Sequence, residues 1–386
     1  MHDFVMPIGP QSPAMKEPML IKLRIDGNTI KDVEMRLGYT HKGIEGLLEG
    51  KTIDQAMYIA SRICGICSIS HERAYIRTVE DMMRKEAPER VKAIRTVLFE
   101  LERISSHILW AGYLLHEIGY DVLFQYFWRE REKILDLFED ICGNRIHKNI
   151  CKVGTLRYDM TDEQVEKTVA VLDEVEKEIR KYENEIKQNH TIAKRLEKVG
   201  VITKSKAVEF GLIGPNARAS GVGQDIRKAD PYDSYGEIKF EAITAKSGDS
   251  MDRVLVRIGE IYESIKIIKQ CVKKMPPSEI PKFSLTQLEK GEGIGRVEAP
   301  RGELFYYVKV AGSRIERVKI RTPTLAYIKM LEDILKGVEI GDVPVIIASI
   351  DPCFSCMERV MVEKKGVKEW LTEKEFRRKY ACRTQY

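Results

Sequence analysis

No stretch of the chain approaches the ~18 consecutive apolar residues of a membrane-spanning helix, so the sequence excludes an integral membrane element. Residues 1–10 lack the basic start and apolar run of a signal peptide. The expectation is therefore a reducing, cytoplasmic setting. Charge imbalance is also slight: net +5 over 386 residues is too little to predict a nucleic-acid partner. Internal repeats and low-complexity segments are absent, which excludes a repeat architecture. What remains is 43% hydrophobic and 32% charged, the balance of a globular protein with a sizeable core.

Cysteine is sparse, with eight in all. In a reducing compartment cysteines serve metals or redox chemistry rather than disulfides. Cys142, Cys151, Cys271 and Cys382 stand alone and read as buried or incidental. The other four form two pairs, Arg62-Ile63-Cys64-Gly65-Ile66-Cys67 with His71 four residues on, and Asp351-Pro352-Cys353-Phe354-Ser355-Cys356. A Cys-x-x-Cys turn converges two sulfurs on one metal or on each other. Two such turns brought together surround one point with four thiolates, which select soft metals. A zinc ribbon keeps its pairs roughly 15–20 residues apart, whereas these lie near opposite ends of the chain. A thioredoxin-like pair calls for a single motif beside a βαβ pattern.

Along the chain, residues 1–18 are rich in proline and glycine and read as an extended loop. Ile21, Leu23 and Ile25 alternate with charged residues before Asp26-Gly27-Asn28, and Ile30, Val33 and Met35 follow, which predicts a β-hairpin. Helical periodicity then takes over, interrupted by Cys64 and Cys67. Helices are expected over 71–86, from Pro88 through Ile108, and over 128–147. Thr161 and Gln164 open a capping box for a helix toward residue 199, with a candidate break at Asn189. Residues 211–235 read as a packed loop and 251–272 as helix. Strands are expected around 304–310 and 315–320, a helix over 324–335, and an apolar strand over 343–350. The fold class is α+β, mainly α: a helical core with a small N-terminal β-hairpin element and a late β element. The expected divisions are 1–50, a catalytic core over 51–359, and a basic tail over 360–386.

The motifs Arg-x-Cys-Gly-x-Cys-x-x-x-His and Asp-Pro-Cys-x-x-Cys resemble the paired signatures of nickel–iron hydrogenase large subunits. Gly9-Pro10-Gln11, Thr40-His41-Lys42-Gly43-Ile44-Glu45, Gly214-Pro215-Asn216-Ala217-Arg218-Ala219-Ser220-Gly221 and Glu298-Ala299-Pro300-Arg301-Gly302-Glu303 resemble the energy-converting branch. That branch is itself similar to the large quinone-site (49 kDa-type) subunit of respiratory complex I. The likeness spans roughly residues 7–360. It departs at Ser12, where relatives often have His, at Gly154-Thr155-Leu156-Arg157, where they often have Gly-Gly-Val before the arginine, and at Ser61, where many other hydrogenases have Glu. None of these touches the four cysteines, which complex I relatives have lost.

The resemblance implies that Cys64, Cys67, Cys353 and Cys356 hold a nickel–iron centre, with CO and CN ligands on the iron and Cys67 and Cys356 bridging. It implies a base role for Cys353, a guanidinium of Arg301 over the metals, and a proton-relay carboxylate at Glu17. Around these it places His71 against a cysteine sulfur, Asp351 as anchor of Arg301 or cap of its own turn, and Pro323 and Thr324 beside a diatomic ligand. Glu45 matches a carboxylate that holds a distant divalent cation, magnesium, in some relatives. Some relatives lose a C-terminal extension by cleavage, here after Arg359; the alternative is a permanent basic tail contacting a partner, with a short helix capped by Thr372 and Glu375.

The implied activity is reversible reduction of two protons by two electrons to H2. The chain has no further cysteine cluster for electron wiring. The resemblance therefore implies a small subunit with a [4Fe–4S] cluster, ferredoxin as electron donor, and separate integral-membrane ion-translocating subunits. The chain would then sit on the inner face of the cell membrane. The rival readings are a complex I-like quinone-site subunit without hydrogenase activity and a non-catalytic scaffold stapled by a structural metal.

Overall fold

Strand pairing begins earlier than the sequence predicts. In the computed structural model, which describes residues 3–12, 15, 17–357, 359–364, 367–371, 375, 378 and 379, Asp3–Ile8 is a strand, not a loop. It pairs antiparallel with Leu20–Asp26, which forms the expected hairpin with Thr29–Arg36. Prolines crowd the return from the first strand and hide its pairing; Pro7 lies within it at the sheet edge, where a missing N–H is tolerated.

The helical body is built around Glu89–Glu117, which Pro88 precedes and which is buried along nearly its whole length. Against it pack Asp121–Cys142, Ser250–Lys274 and the shorter Val343–Ser349. Asp162–Gln188 covers the outside, burying Leu172, Val175, Ile179, Tyr182 and Ile186 as one stripe. Its capping box at Thr161 and Gln164 forms as predicted. The break at Asn189 is also present, because its side chain accepts the amides of Thr191 and Ile192 and starts His190–Leu196.

The late β element is a three-stranded antiparallel meander, Lys290–Ala299, Gly302–Ala311 and Arg314–Arg321. It lies against the helix Ser68–Met83. The expected strand over 343–350 is corrected to the helix Val343–Ser349, with a proline in its first turn. A short apolar run looks alike in either state, and here burial on all sides decides for helix. The expected loop over 211–235 carries two short helices, Gly214–Ala219 and Ile226–Ala229. The expected helix over 324–335 divides into Pro323–Tyr327 and Met330–Ile334. The helix expected over 128–147 runs instead from Asp121 to Cys142 and stops at Gly143 in the left-handed region.

Two hydrophobic clusters result. The larger fills the helical body and meander; the smaller joins the N-terminal sheet to residues between 327 and 357. Cys353 and Cys356 face the first cluster, while Phe354 and Met357 face the second. The second cysteine turn thus lies on the seam between the cores. In the tail, Val360–Lys364 pairs with Val367–Leu371. The short helix expected from Thr372 to Glu375, and Cys382, fall on or run into residues outside those described.

Candidate metal centre

Each cysteine pair is delivered by the end of a regular element. Cys67 is the N-cap of Ser68–Met83, where the positive end of the helix favours a thiolate. That first turn is tied to Glu102 of the central helix, whose carboxylate accepts from the amides of Ile69 and Ser70, each at 2.8 Å. The second pair follows Val343–Ser349. The chain passes through Asp351 at φ 53°, an unusual conformation for a side-chain-bearing residue. Cys353 N–H then donates to Thr324 Oγ1 at 2.9 Å. Thr40 donates to the Phe354 carbonyl at 2.8 Å and the Lys42 ammonium to that of Ser355.

The four sulfurs meet. Cys64 Sγ lies 3.6 Å from Cys353 Sγ, Cys67 Sγ 3.9 Å from Cys356 Sγ, and Cys353 Sγ 2.9 Å from Cys356 Sγ. All four are buried free thiols. Sulfurs on a tetrahedral metal with ~2.3 Å bonds stand roughly 3.8 Å apart, so the two cross-pair distances suit a shared soft metal. No carboxylate or imidazole completes the set: among the described residues the group that could hold an ion is Cys64, Cys67 and Cys356, to which Cys353 is adjacent. The protons are shared unequally. Hydrogen bonds from Cys356 and Cys64 lower the pKa of Cys67, while the Cys356 thiol is pushed up by Cys353, Cys64 and Cys67. Metal ligation removes such protons.

Arg301 reaches this cluster from the turn between the first two meander strands. It is 4% exposed, and its Nη2 donates to Asp351 Oδ1 at 2.9 Å and its Nε to the Asp351 carbonyl at 3.1 Å. Its charge is held by Asp351 first, then by Cys353, Cys67 and Cys64. The nearby carboxylates in sequence, Glu298 and Glu303, are engaged by Arg218 and Arg321. The turn can come this close because Gly214 lies against it: a Cβ on Gly214 would stand 2.4 Å from the Arg301 carbonyl oxygen. Gly214 also has φ +66°, so both space and backbone require glycine there.

Glu17 approaches Cys353 from the N-terminal segment. Its Oε1 is 3.9 Å from Cys353 Sγ, and it accepts from Ser355 N–H at 2.8 Å and from the Ser355 hydroxyl. Burial, and then the charge on Cys353, raise its pKa to about 7. A small cavity is lined by Cys67, His71, Arg301, Pro323, Thr324 and Cys353, among others. His71 does not bond a sulfur as expected; its Nδ1 lies 2.7 Å from Tyr306 Oη, and burial lowers its pKa to about 4.

Comparison with known proteins places the chain. Residues 42–170 match the family described as nickel-dependent hydrogenase. Residues 117–287 and 281–359 match the family described as the 49 kDa subunit of respiratory-chain NADH dehydrogenase. The chain is 37% identical to the alpha subunit of the membrane-bound hydrogenase of Pyrococcus furiosus, over 96% of this chain and 91% of that one. The chain belongs to the nickel–iron hydrogenase large-subunit family, in the branch related to the complex I 49 kDa subunit. A subunit of the F420H2 dehydrogenase of Methanosarcina mazei is also similar, 36% identical over 93% of this chain and 98% of that one. The fold agrees: a chain in the solved structure of the membrane-bound sulfane sulfur reductase, an archaeal respiratory membrane complex, superposes with TM-score 0.86. It is 32% identical, covering 92% of this chain and 97% of that one.

Two features separate this large subunit from the expectations. Glu45 is not gathered with other acids into a cation site among the described residues. It accepts from Ile320 N–H at 2.9 Å and is neutralised by Arg359 at 3.2 Å and Lys319 at 3.7 Å. Secondly, sequence reasoning passed over Ser355, which holds Glu17, and Tyr306, which holds His71. Ser355 sits inside the motif and has a hydroxyl to offer. Tyr306 gives no sequence signal beyond strand alternation. Cys142, Cys151 and Cys271 are buried apart from the cluster, their thiols pushed up by burial. No helix of the described residues is long and apolar enough to cross a membrane.

Proposed function

We propose that this chain is the catalytic large subunit of an energy-converting nickel–iron hydrogenase, reducing protons to H2 reversibly. The observation that carries the reading is four thiol sulfurs at one buried point, with Arg301 lining the same cavity and Glu17 beside Cys353. A nickel–iron centre held by Cys64, Cys67, Cys353 and Cys356 would supply heterolytic activation of H2. The protein's own groups do the rest. Arg301, locked by Asp351, presents a fixed positive charge to the cluster and orients small ligands by hydrogen bonds. Cys353 is the terminal thiolate that exchanges a proton with Glu17. Glu17, with a pKa of about 7, both takes and gives that proton near neutral pH. Pro323 and Thr324 bound the cavity and exclude water.

Electrons reach the site through a partner, for which a small [4Fe–4S] subunit and ferredoxin are the proposal. The membrane-complex setting of the relatives supports ion-translocating membrane subunits as further partners, with this chain peripheral on the inner face. Tail processing after Arg359 belongs to the same proposal, since cleavage there would separate the Glu45-bound Arg359 from the residues that follow.

A second reading is favoured by the match to the 49 kDa family over residues 117–359: a quinone-site-like subunit. Deuterium/proton exchange by the complex purified from its native host separates the two. Exchange needs only the centre and the proton route, so a hydrogenase shows it without any electron partner. Metal-replete protein that does not exchange would overturn the hydrogenase reading.

A further inference from the structure

Between the helix Val343–Ser349 and Cys353 the chain makes its unusual turn at Asp351, and four consecutive residues are each held by a buried side chain from elsewhere. Trp110 Nε1 donates to the Ala348 carbonyl at 2.8 Å. Arg253 Nε donates to Ser349 Oγ at 3.1 Å. Asn216 Nδ2 donates to the Ile350 carbonyl at 2.9 Å. Tyr327 Oη donates to the Asp351 carbonyl at 3.0 Å, beside Arg301. These come from the central helix, from Ser250–Lys274, from Gly214–Ala219 and from Pro323–Tyr327.

One residue ties this set together. Arg257, 1% exposed, stacks its guanidinium 4.1 Å from the Trp110 ring centroid and donates Nη2 to Asn216 Oδ1 at 3.3 Å. Nη1 goes to the Arg253 carbonyl at 3.1 Å, and Nε is buried with no hydrogen-bond partner among the described residues. All these contacts are to neutral groups, an expensive state for a buried cation. Burial pulls the pKa of Arg257 down, and the first charge that offsets this is the Asp351 carboxylate. That carboxylate is the one Arg301 bonds directly; Arg257 acts on the approach to it. Arg257 braces the two side chains, Trp110 and Asn216, that hold the carbonyls of the approach.

We infer that Arg257, acting through Trp110 and Asn216, is a positioning residue that sets the Asp351 turn and so the placement of Arg301 beside the four cysteines. The inference rests on the proposed function only for its catalytic consequence. The placement itself is a property of the chain.

The test uses the full chain with Arg257→Met and, separately, Asn216→Ala, read by hydrogen exchange of the amides of residues 348–351 and 353 and by thermal unfolding. The expected result is exchange about tenfold faster at these amides, the worth of one or two buried hydrogen bonds, with other segments unchanged. Arg257→Lys should recover part of the protection, since it keeps the charge and the aromatic contact. In nickel-loaded complex, Arg257→Met should shift the CO/CN infrared bands while nickel content stays that of the parent. If Arg257→Met does not fold, Asn216→Ala carries the exchange test. Unchanged local exchange in folded variants, or loosening spread evenly over the chain, would overturn the inference. Absence of nickel or infrared bands in the parent would count against the hydrogenase reading alone, because the exchange result stands without metal.

Discussion

Arg301 and Asp351 form a two-point contact, side chain to side chain at 2.9 Å and guanidinium to backbone at 3.1 Å, directly behind the cysteine that follows two residues later. A planar fork makes both bonds from separate, fixed nitrogens; an ammonium offers one nitrogen with no such fixed spacing. Arg301→Lys is therefore expected to keep nickel but lose turnover about a hundredfold, the usual cost of one misplaced donor at a reacting centre. Metal analysis alongside H2 evolution checks this, and unchanged turnover would remove Arg301 from the mechanism.

Glu17 sits 3.9 Å from Cys353 and is held by Ser355. Glu17→Gln retains the shape and the hydrogen bond from the Ser355 amide but cannot carry a proton. Deuterium/proton exchange should fall by about a hundredfold or more, with nickel content unaltered. Equal exchange in both proteins would place the proton route elsewhere.

The backbone crossing of Gly214 over Arg301–Gly302 allows no side chain. Gly214→Ala should destabilise the chain by about 2–4 kcal/mol, combining overpacking with an unfavourable φ. It should also displace Arg301, so that activity falls below what the loss of folded protein explains. Thermal unfolding and specific activity per folded molecule measure the two parts.

Away from the centre, Glu72 is fully buried beneath the first cysteine turn and accepts the amides of Asn149 and Cys151 at 2.8 and 3.2 Å. Burial raises its pKa from 4.5 to about 7. The native state then binds a proton that the unfolded chain releases between those values. Its contribution is full below about pH 4.5 and is lost as pH rises through 7, an effect of about 3 kcal/mol. Denaturant midpoints of Glu72→Gln should show a flatter pH dependence than the parent over that window. Parallel curves would show that Glu72 is ionised in the folded protein at neutral pH.

Much of this was legible in the sequence because it is local. The hairpin at Asp26-Gly27-Asn28, the capping box at Thr161 and the Asn189 break each rest on a few neighbouring residues, and all formed. Type and spacing showed that each cysteine turn can present two sulfurs; their convergence on one site was what the resemblance implied. What stayed hidden depends on distant partners. The run 343–350 reads as strand until burial among helices makes it a helix. Glu45 looks like a metal ligand until Arg359 and Lys319 close on it. Tyr306 and Ser355 matter only because strand and loop carry them to His71 and Glu17.

The most direct test of the central claim is metal analysis with infrared spectroscopy of the protein purified from its native host. Nickel and iron are expected at about one each per chain, with bands in the CO and CN stretching region. Zinc alone, or no metal and no such bands, in mature protein would contradict the hydrogenase reading and leave four cysteines as a structural staple.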